Sequence, residues 1–202
     1  SMNFSAKPFL NTHKYANKAT IAFKPLIPFI AAGAKAVIVD IRADLKQIKI
    51  PAGVTAIVVE DSRKALSIVA CNFYDNPSKK MKVIGITGTK GKTTTTYLVK
   101  SVLESMGKCV GLIGTNQNMI GTEVIPSQHT TPDSLELMQL FSLMAQKGAD
   151  YVVMEVSSLG LKHHRVEGTE FYCGVFTNLF PDHIGTNEHD TFEEYAYWKT
   201  QL

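Results

Sequence analysis

Cysteine is scarce. The 202-residue chain has three, Cys71, Cys109 and Cys173, far apart and without CxxC spacing, which excludes a disulfide framework and a thiolate zinc site and fits a reducing compartment. Long apolar runs are also missing. Ala56-Ile57-Val58-Val59 and Tyr151-Val152-Val153-Met154 fall far short of the ~20 residues of a bilayer helix, so a cytoplasmic chain with no membrane partner is expected. No block of one charge sign occurs. Lys and Arg number 21 against 18 Asp and Glu, a formal charge of +3 spread along the chain, whereas a nucleic-acid binder would carry a basic stripe. No apolar leader precedes a cleavage site, and Ser1 ahead of Met2 reads as a remnant of expression. Against these absences stands an apolar share of 45%, enough for one generous α/β domain or two small ones.

Periodicity divides the chain at about residue 78. Before it, Phe23 to Ala32 reads as a helix stopped by Gly33, Ala36 to Val39 and Ala56 to Val59 as strands, and Asp61-Ser62 as the cap of a helix with Leu66, Val69, Ala70 and Phe73 on its apolar face. Pro77-Ser78-Lys79-Lys80 reads as a linker. After it, strands are expected at Met81 to Thr87, Cys109 to Ile113, Tyr151 to Val156 and Cys173 to Thr177, with helices at Lys92 to Met106, Pro132 to Gln146 and Thr191 to Leu202. That alternation implies an α/β fold: a small α/β domain over 1–78, then, over 79–202, a P-loop-NTPase-like, mostly parallel sheet with helices on both faces. Ligands gather at the carboxyl ends of such strands. The last helix ends mid-pattern, with Phe192, Tyr195 and Trp198 turned inward, so a truncated chain is expected.

The strongest local signal is Val83-Ile84-Gly85-Ile86-Thr87-Gly88-Thr89-Lys90-Gly91-Lys92-Thr93-Thr94. A β-branched strand enters a turn in which Gly88 and Gly91 let consecutive N–H groups curl inward, and a helix N-terminus follows. Such a loop suits polyphosphate. Lys92 can reach the β and γ phosphates as a solvated charge, and the Thr93 hydroxyl can complete a magnesium shell. The strict Walker pattern has glycine where this chain has Ile86. Glu155 closes a buried strand next to that loop in this architecture, a place for a Mg²⁺ ligand. Asn178, Asp182 and His183 follow another strand. Arg165 offers a planar fork for carboxylate or phosphate, with a solvated basic turn as the plain alternative. Gly114-Thr115 and His129-Thr130-Thr131-Pro132 supply hydroxyls that also serve as ordinary caps. A zinc hydrolase built on His163, His164, Asp182 and His189 is a further possibility, although adjacent histidines cannot share a helix face and no HExxH occurs.

In order and spacing, the Gly85 to Thr94 loop, Gly114-Thr115, Thr130-Thr131-Pro132, Met154-Glu155-Val156-Ser157-Ser158, Arg165-Val166, Val175 to Leu179, Asp182-His183 and Tyr195 to Lys199 resemble the Mur ligases. Within them the chain is most similar to those that add the third amino acid, lysine or diaminopimelate, to UDP-N-acetylmuramoyl-L-alanyl-D-glutamate during peptidoglycan synthesis. Residues 1–78 would then be the later part of a UDP-binding domain and 79–202 part of the ATP-binding domain. The resemblance implies ATP and Mg²⁺ as cofactors and a monomer taking a UDP-muramoyl-dipeptide and an amino acid. It implies an acyl phosphate attacked by an amine. Gly88, Thr89, Lys90, Gly91, Lys92, Thr93, Thr94 and Asn178 would hold the nucleotide. Thr93, Glu155, His183 and a carbamylated Lys199 would hold magnesium, and Lys92, His183 and Lys199 would be catalytic. Thr130, Thr131, Ser157 and Arg165 would hold the dipeptide substrate. The segment alone would be inactive, because the family closes a third domain over the site. Folylpolyglutamate synthetases share the short loop, and a P-loop binding module without ligase activity is the remaining alternative. Leu159 departs from the family pattern, which has histidine there, as does the Gly185 to His189 stretch.

Overall fold

The computed structural model describes residues 33–43, 50–182, 184–186 and 188–202. The helix expected over Phe23 to Ala32 lies outside them. Contacts divide the chain into two compact units, 1–62 and 63–202. In the first, β1 (Ala36–Asp40) and β2 (Thr55–Val59) pair in parallel, from Ala36 opposite Thr55 to Asp40 opposite Val59. The Arg42 guanidinium beside Asp40, helped by the Ser62 N–H at 3.0 Å, holds that carboxyl far below its ordinary range.

From Ser62 onward the chain runs α1 (Ser62–Phe73), β3 (Lys82–Thr87), α2 (Lys92–Ser105), β4 (Val110–Ile113), β5 (Asn118–Ile120), β6 (Glu123–Ile125), α3 (Ser134–Gln146), β7 (Tyr151–Glu155), α4 (Ser158–Lys162), β8 (Phe171–Phe176) and α5 (Phe192–Lys199). Six strands form one sheet in the order β6-β5-β4-β7-β3-β8. β4, β7, β3 and β8 are mutually parallel, whereas β5 is antiparallel to β4 and β6 antiparallel to β5. Period-two alternation sorts the central strands between two cores. Val83, Ile113, Val152 and Met154 face Leu137, Phe141 and Met144 of α3 and Ala70 and Cys71 of α1. Ile86, Val110 and Val153 face Val99 and Leu103 of α2 on the other side. Burying so many β-branched and aliphatic side chains, each contributing about 1.5–3 kcal/mol, fixes the strand ends where polar groups collect. Among the described residues no helix is long and apolar enough to cross a membrane.

Several elements differ from the pattern-based expectation. Pro77–Lys80 is a 3₁₀ turn, not a linker, with Pro77 and Ser78 buried and the Ser78 hydroxyl accepting the Glu170 N–H at 3.1 Å. On α1, Ser67, Ala70 and Cys71 point inward while Leu66, Val69 and Phe73 are exposed. The hydroxyl contact of Ser67 with Ser134 and the sulfur contact of Cys71 with Met138 mark the face that docks on α3. The β5–β6 hairpin was not expected, because three-residue strands are too short to show a period. The last helix stops at Lys199, and Leu202 folds back against the Gly85 backbone and the main core.

Candidate functional site

β3, β7 and β8 end side by side, and their carboxyl ends carry the phosphate loop, Glu155 and Thr177-Asn178 respectively. Gly88 bends the loop sharply at φ +142, and a Cβ there would collide with Thr177 Oγ1 and lie 3.1 Å from the Asn178 backbone. No other residue fits that approach. The turn is clamped from the β8 side. The Thr89 and Lys90 N–H groups donate to Asn178 O and Oδ1 at 3.0 and 2.9 Å, and Asn178 Nδ2 and Thr177 Oγ1 donate back to Lys90 O at 3.0 and 2.8 Å. The Thr89 hydroxyl is turned into the protein, accepting the Phe180 N–H at 3.0 Å and lying 2.8 Å from the buried Tyr195 hydroxyl. With those two amides engaged, the first-turn N–H groups of α2, at Lys92, Thr93 and Thr94, have no partner within the helix and can receive an anion. An open groove lined by Thr93, Thr94, Tyr97, Leu98, Ser101 and Asn116 runs alongside.

Two ammonium groups converge on one carbonyl. Lys92 Nζ donates to Gly88 O at 2.8 Å and to Thr89 O at 3.2 Å, and Lys199 Nζ donates to Gly88 O at 2.8 Å from α5. The expected solvated Lys92 is therefore half-buried and tucked into the loop, and burial lowers its pKa. Lys199, 2% exposed, is pushed down to about 8, first by burial and then by the neighbouring Lys92 charge. From about pH 8 the native lysine sheds its proton while the unfolded one, with an ordinary value of 10.5, keeps it. The unfolded state therefore binds more protons across that window, and stability rises with pH. Lys199→Met should accordingly be more stable than the parent at pH 7, by up to about 3 kcal/mol, with the gap closing by pH 10.5. Thermal melts of both proteins in bicarbonate-free buffer across that range check this; a gap independent of pH would contradict it.

Glu155 is 1% exposed at the end of β7. Its Oε2 accepts from the Thr93 hydroxyl at 3.0 Å and the Thr115 hydroxyl at 3.1 Å, and its Oε1 accepts the Thr115 N–H at 2.9 Å. Gly114 allows this, since a Cβ there would strike Glu155 Oε1. Buried Asn118 ties the same turn down by accepting the Gly114 N–H at 3.3 Å and donating to Pro126 O at 3.4 Å.

Thr130, Thr131, Ser157 and Arg165 are linked to Glu155 and to one another. Buried Thr131 donates to Glu155 O at 3.1 Å and accepts the Ser157 N–H at 2.9 Å, and the Ser157 hydroxyl caps α4 by accepting the Gly160 N–H at 3.0 Å. Arg165 Nη1 donates to Thr131 O at 2.9 Å while its Nε pairs with Asp133 at 3.0 Å. Thr130 Oγ1 is 3.0 Å from Thr115 Oγ1. Thr93 and Thr115, 62 and 40 residues before Glu155, therefore meet around one carboxylate. Asp133 and Asn118 escaped the sequence reading. Asp133 carried a visible signal, an N-cap position right after Thr-Thr-Pro; Asn118 sits on a strand too short to be seen.

His183 lies outside the described residues. Asp182 pairs with Lys90 at 2.8 Å. The histidines offered for zinc stand in separate settings. His163 caps α4, its pKa pushed to about 4 by burial and by Arg63, Arg165 and Lys162. His164 meets Trp198 edge-on, and His189 packs on Tyr195. Among the described residues no three His, Cys, Asp or Glu side chains gather to hold a metal.

Residues 86–202 match the family model of the Mur ligase middle domain. The chain is 51% identical over 173 residues to the UDP-N-acetylmuramoyl-L-alanyl-D-glutamate--2,6-diaminopimelate ligase of Caldanaerobacter subterraneus subsp. tengcongensis, covering 86% of this chain and 34% of that protein. It is 44% identical over 149 residues to a UDP-N-acetylmuramyl-tripeptide synthetase of Lactococcus lactis subsp. cremoris, covering 73% of this chain and 31% of that protein. A solved UDP-N-acetylmuramoyl-L-alanyl-D-glutamate--2,6-diaminopimelate ligase matches with a TM-score of 0.70 and 31% identity over 85% of this chain and 33% of that one. A folylpolyglutamate synthase of Mycobacterium tuberculosis shares the fold, at a TM-score of 0.53 and 15% identity over 67% of this chain and 37% of that one. The chain thus spans about a third of the length of the relatives it matches. With the phosphate loop, the strand-end glutamate and the Thr-Thr-Pro turn all inside the matched segment, this chain belongs to the Mur ligase family.

Proposed function

We propose that this chain carries the nucleotide and metal half, and part of the acid-substrate half, of an ATP-dependent ligase. The whole enzyme would join lysine or diaminopimelate to UDP-N-acetylmuramoyl-L-alanyl-D-glutamate in peptidoglycan precursor synthesis. The observation that carries this reading is the meeting of Lys92 and Lys199 on the Gly88 carbonyl beside a buried Glu155 held by Thr93.

The donor set fits Mg²⁺. A hard cation that keeps several waters takes one or two carboxylates and substrate phosphates rather than a protein cage, and here one buried carboxylate and one hydroxyl stand 3.0 Å apart at a helix N-terminus. Thr93 and Glu155 would hold it, joined by His183 and by Lys199 once carbamylated. The cation would supply charge neutralisation at the phosphates. Burial supports the modification of Lys199. With a pKa of about 8, roughly one amine in ten is neutral at pH 7 and able to add to carbon dioxide.

The chain's own groups then take definite parts. The α2 amides at Lys92, Thr93 and Thr94, with Gly91 opening the helix, receive phosphate oxygens, and Lys92 exchanges the Gly88 carbonyl for them. Thr89, Lys90 and Asn178 keep the turn in shape. Arg165, held from two sides, places its remaining N–H donors toward the acid substrate, with Thr130, Thr131 and Ser157 forming the adjoining turn. A substrate carboxylate becomes an acyl phosphate, an amine attacks it, and phosphate leaves, so the charge that builds on transferring oxygens lies where Lys92 can meet it.

Glu155→Gln keeps the shape of the strand end and removes the charge. It should weaken ATP binding about tenfold in the presence of Mg²⁺ and leave magnesium-free binding nearly unchanged. Calorimetric titrations with and without the metal decide the matter, and equal losses in both would make Glu155 structural.

A further inference from the structure

The peptide joining Lys90 to Gly91 is held by its oxygen. Lys90 O accepts the Thr177 hydroxyl at 2.8 Å and the Asn178 Nδ2 at 3.0 Å, from the two residues that follow β8. A carbonyl oxygen can only accept, so the direction of both bonds is fixed. The Thr177 hydroxyl also lies 3.2 Å from Thr87 O, and the Thr177 N–H donates to Thr87 O at 3.0 Å, which pins Thr177 to the end of β3. A trans peptide carries its N–H and its C=O on opposite edges. With Lys90 O drawn toward β8, the Gly91 N–H points away from β8, and no group among the described residues accepts it. Gly91 is left-handed, at φ 84 and ψ −3, and the helical Lys92 follows. That succession turns the N–H groups of Gly91, Lys92 and Thr93 into one concavity suited to an anion.

We infer, resting on the nucleotide reading above, that Thr177 is a positioning residue of the phosphate site: by holding the Lys90 carbonyl it aims the Gly91 N–H at a phosphate oxygen. Gly91 has no side chain to resist rotation of that peptide, and nothing stands within 4 Å of the place a Cβ would take. Turned over, the same peptide would present its carbonyl oxygen to the phosphate and repel it. Asn178 alone restrains the plane less well. Its Nδ2 bond is the longer of the two, and its Oδ1 is already engaged with the Lys90 N–H of the preceding peptide. Thr177 itself never touches the ligand. Its hydroxyl acts through one peptide plane, so Thr177→Ser keeps the function and Thr177→Val, of nearly the same shape, removes it.

The test uses this 202-residue chain with Mg²⁺-ATP and Mg²⁺-pyrophosphate as probes, binding being read by calorimetry and by the Gly91 amide resonance. Thr177→Val should weaken both probes by the same factor, about tenfold, because the lost contact is to phosphate. Thr177→Ser should bind both within about twofold of the parent, and all three proteins should melt within a few degrees of one another. In the parent and the serine variant the Gly91 amide proton should move downfield when pyrophosphate binds; in the valine variant it should not. Unchanged affinity in Thr177→Val, a loss seen with ATP but not with pyrophosphate, a Gly91 resonance indifferent to pyrophosphate in the parent, or no restoration by serine would each overturn the positioning role and leave the nucleotide reading in place. A valine variant that no longer folds would make Thr177 structural and overturn the role as well. Failure of the parent to bind Mg²⁺-ATP would remove the nucleotide reading and the role together.

Discussion

Lys92→Ala should lower the affinity of the chain for Mg²⁺-ATP at least about a hundredfold, equivalent to ~2.7 kcal/mol, while leaving the melting temperature within a few degrees of the parent. The ammonium sits inside the loop on Gly88 O and Thr89 O, so the variant loses the charge that would meet the phosphates. The fold loses little. The same carbonyl keeps Lys199 as a partner at 2.8 Å, and relief from burying a second cation offsets part of the lost hydrogen bonding. Calorimetric titration with Mg²⁺-ATP together with a thermal melt tests both parts. Unchanged affinity would remove the phosphate-loop assignment; a collapse in stability would make Lys92 a structural residue.

Gly88→Ala should do the opposite and strike the fold first. A Cβ at φ +142 collides with Thr177 Oγ1 and crowds the Asn178 backbone at 3.1 Å. Thr177 has little room to retreat, because its own N–H and hydroxyl are bonded to Thr87 O and Lys90 O. The cost is about 2–4 kcal/mol from strain and overpacking combined, seen as a fall in melting temperature of roughly 4–16 °C. Nucleotide binding falls with it. Gly91→Ala is the control: its φ is +84 but a Cβ there meets nothing within 4 Å, so it should lose roughly 1 kcal/mol. Equal destabilisation by the two substitutions would show that the Thr177 contact is unimportant.

The legible part of the molecule is the part governed by local rules. Val83 to Thr87 is β-branched and ends in a glycine turn, so strand, loop and helix could be read in a row; the buried acid at the end of Tyr151 to Glu155 could be read beside them. Pairing across long stretches was not legible. Nothing in the local pattern of Tyr195 to Lys199 says that the tyrosine hydroxyl reaches Thr89 at 2.8 Å or that the lysine reaches Gly88. Of the apolar face expected on α1 only Ala70 is buried; Ser67, a hydroxyl, and Cys71 complete the inward face, while hydropathy points to the larger Leu66, Val69 and Phe73, which are exposed. Lys92 was expected in solvent because a charge is cheapest there, yet the loop supplies two carbonyls that hold it inside.

The clamp on Gly88 has a temporal consequence. Its carbonyl partner Lys199 lies 111 residues further along the chain, and Asn178 lies 88 residues beyond Lys90. At roughly 5–20 residues per second, a ribosome needs on the order of 10 s to travel from the loop to Lys199. During that interval β3 and α2 can already pair and pack from local contacts, but the loop between them has neither of its distant supports. The proposed nucleotide loop is thus among the last parts of the unit to acquire its shape as the chain is made, and a nascent chain halted before α5 would carry a loop of the right sequence and the wrong geometry.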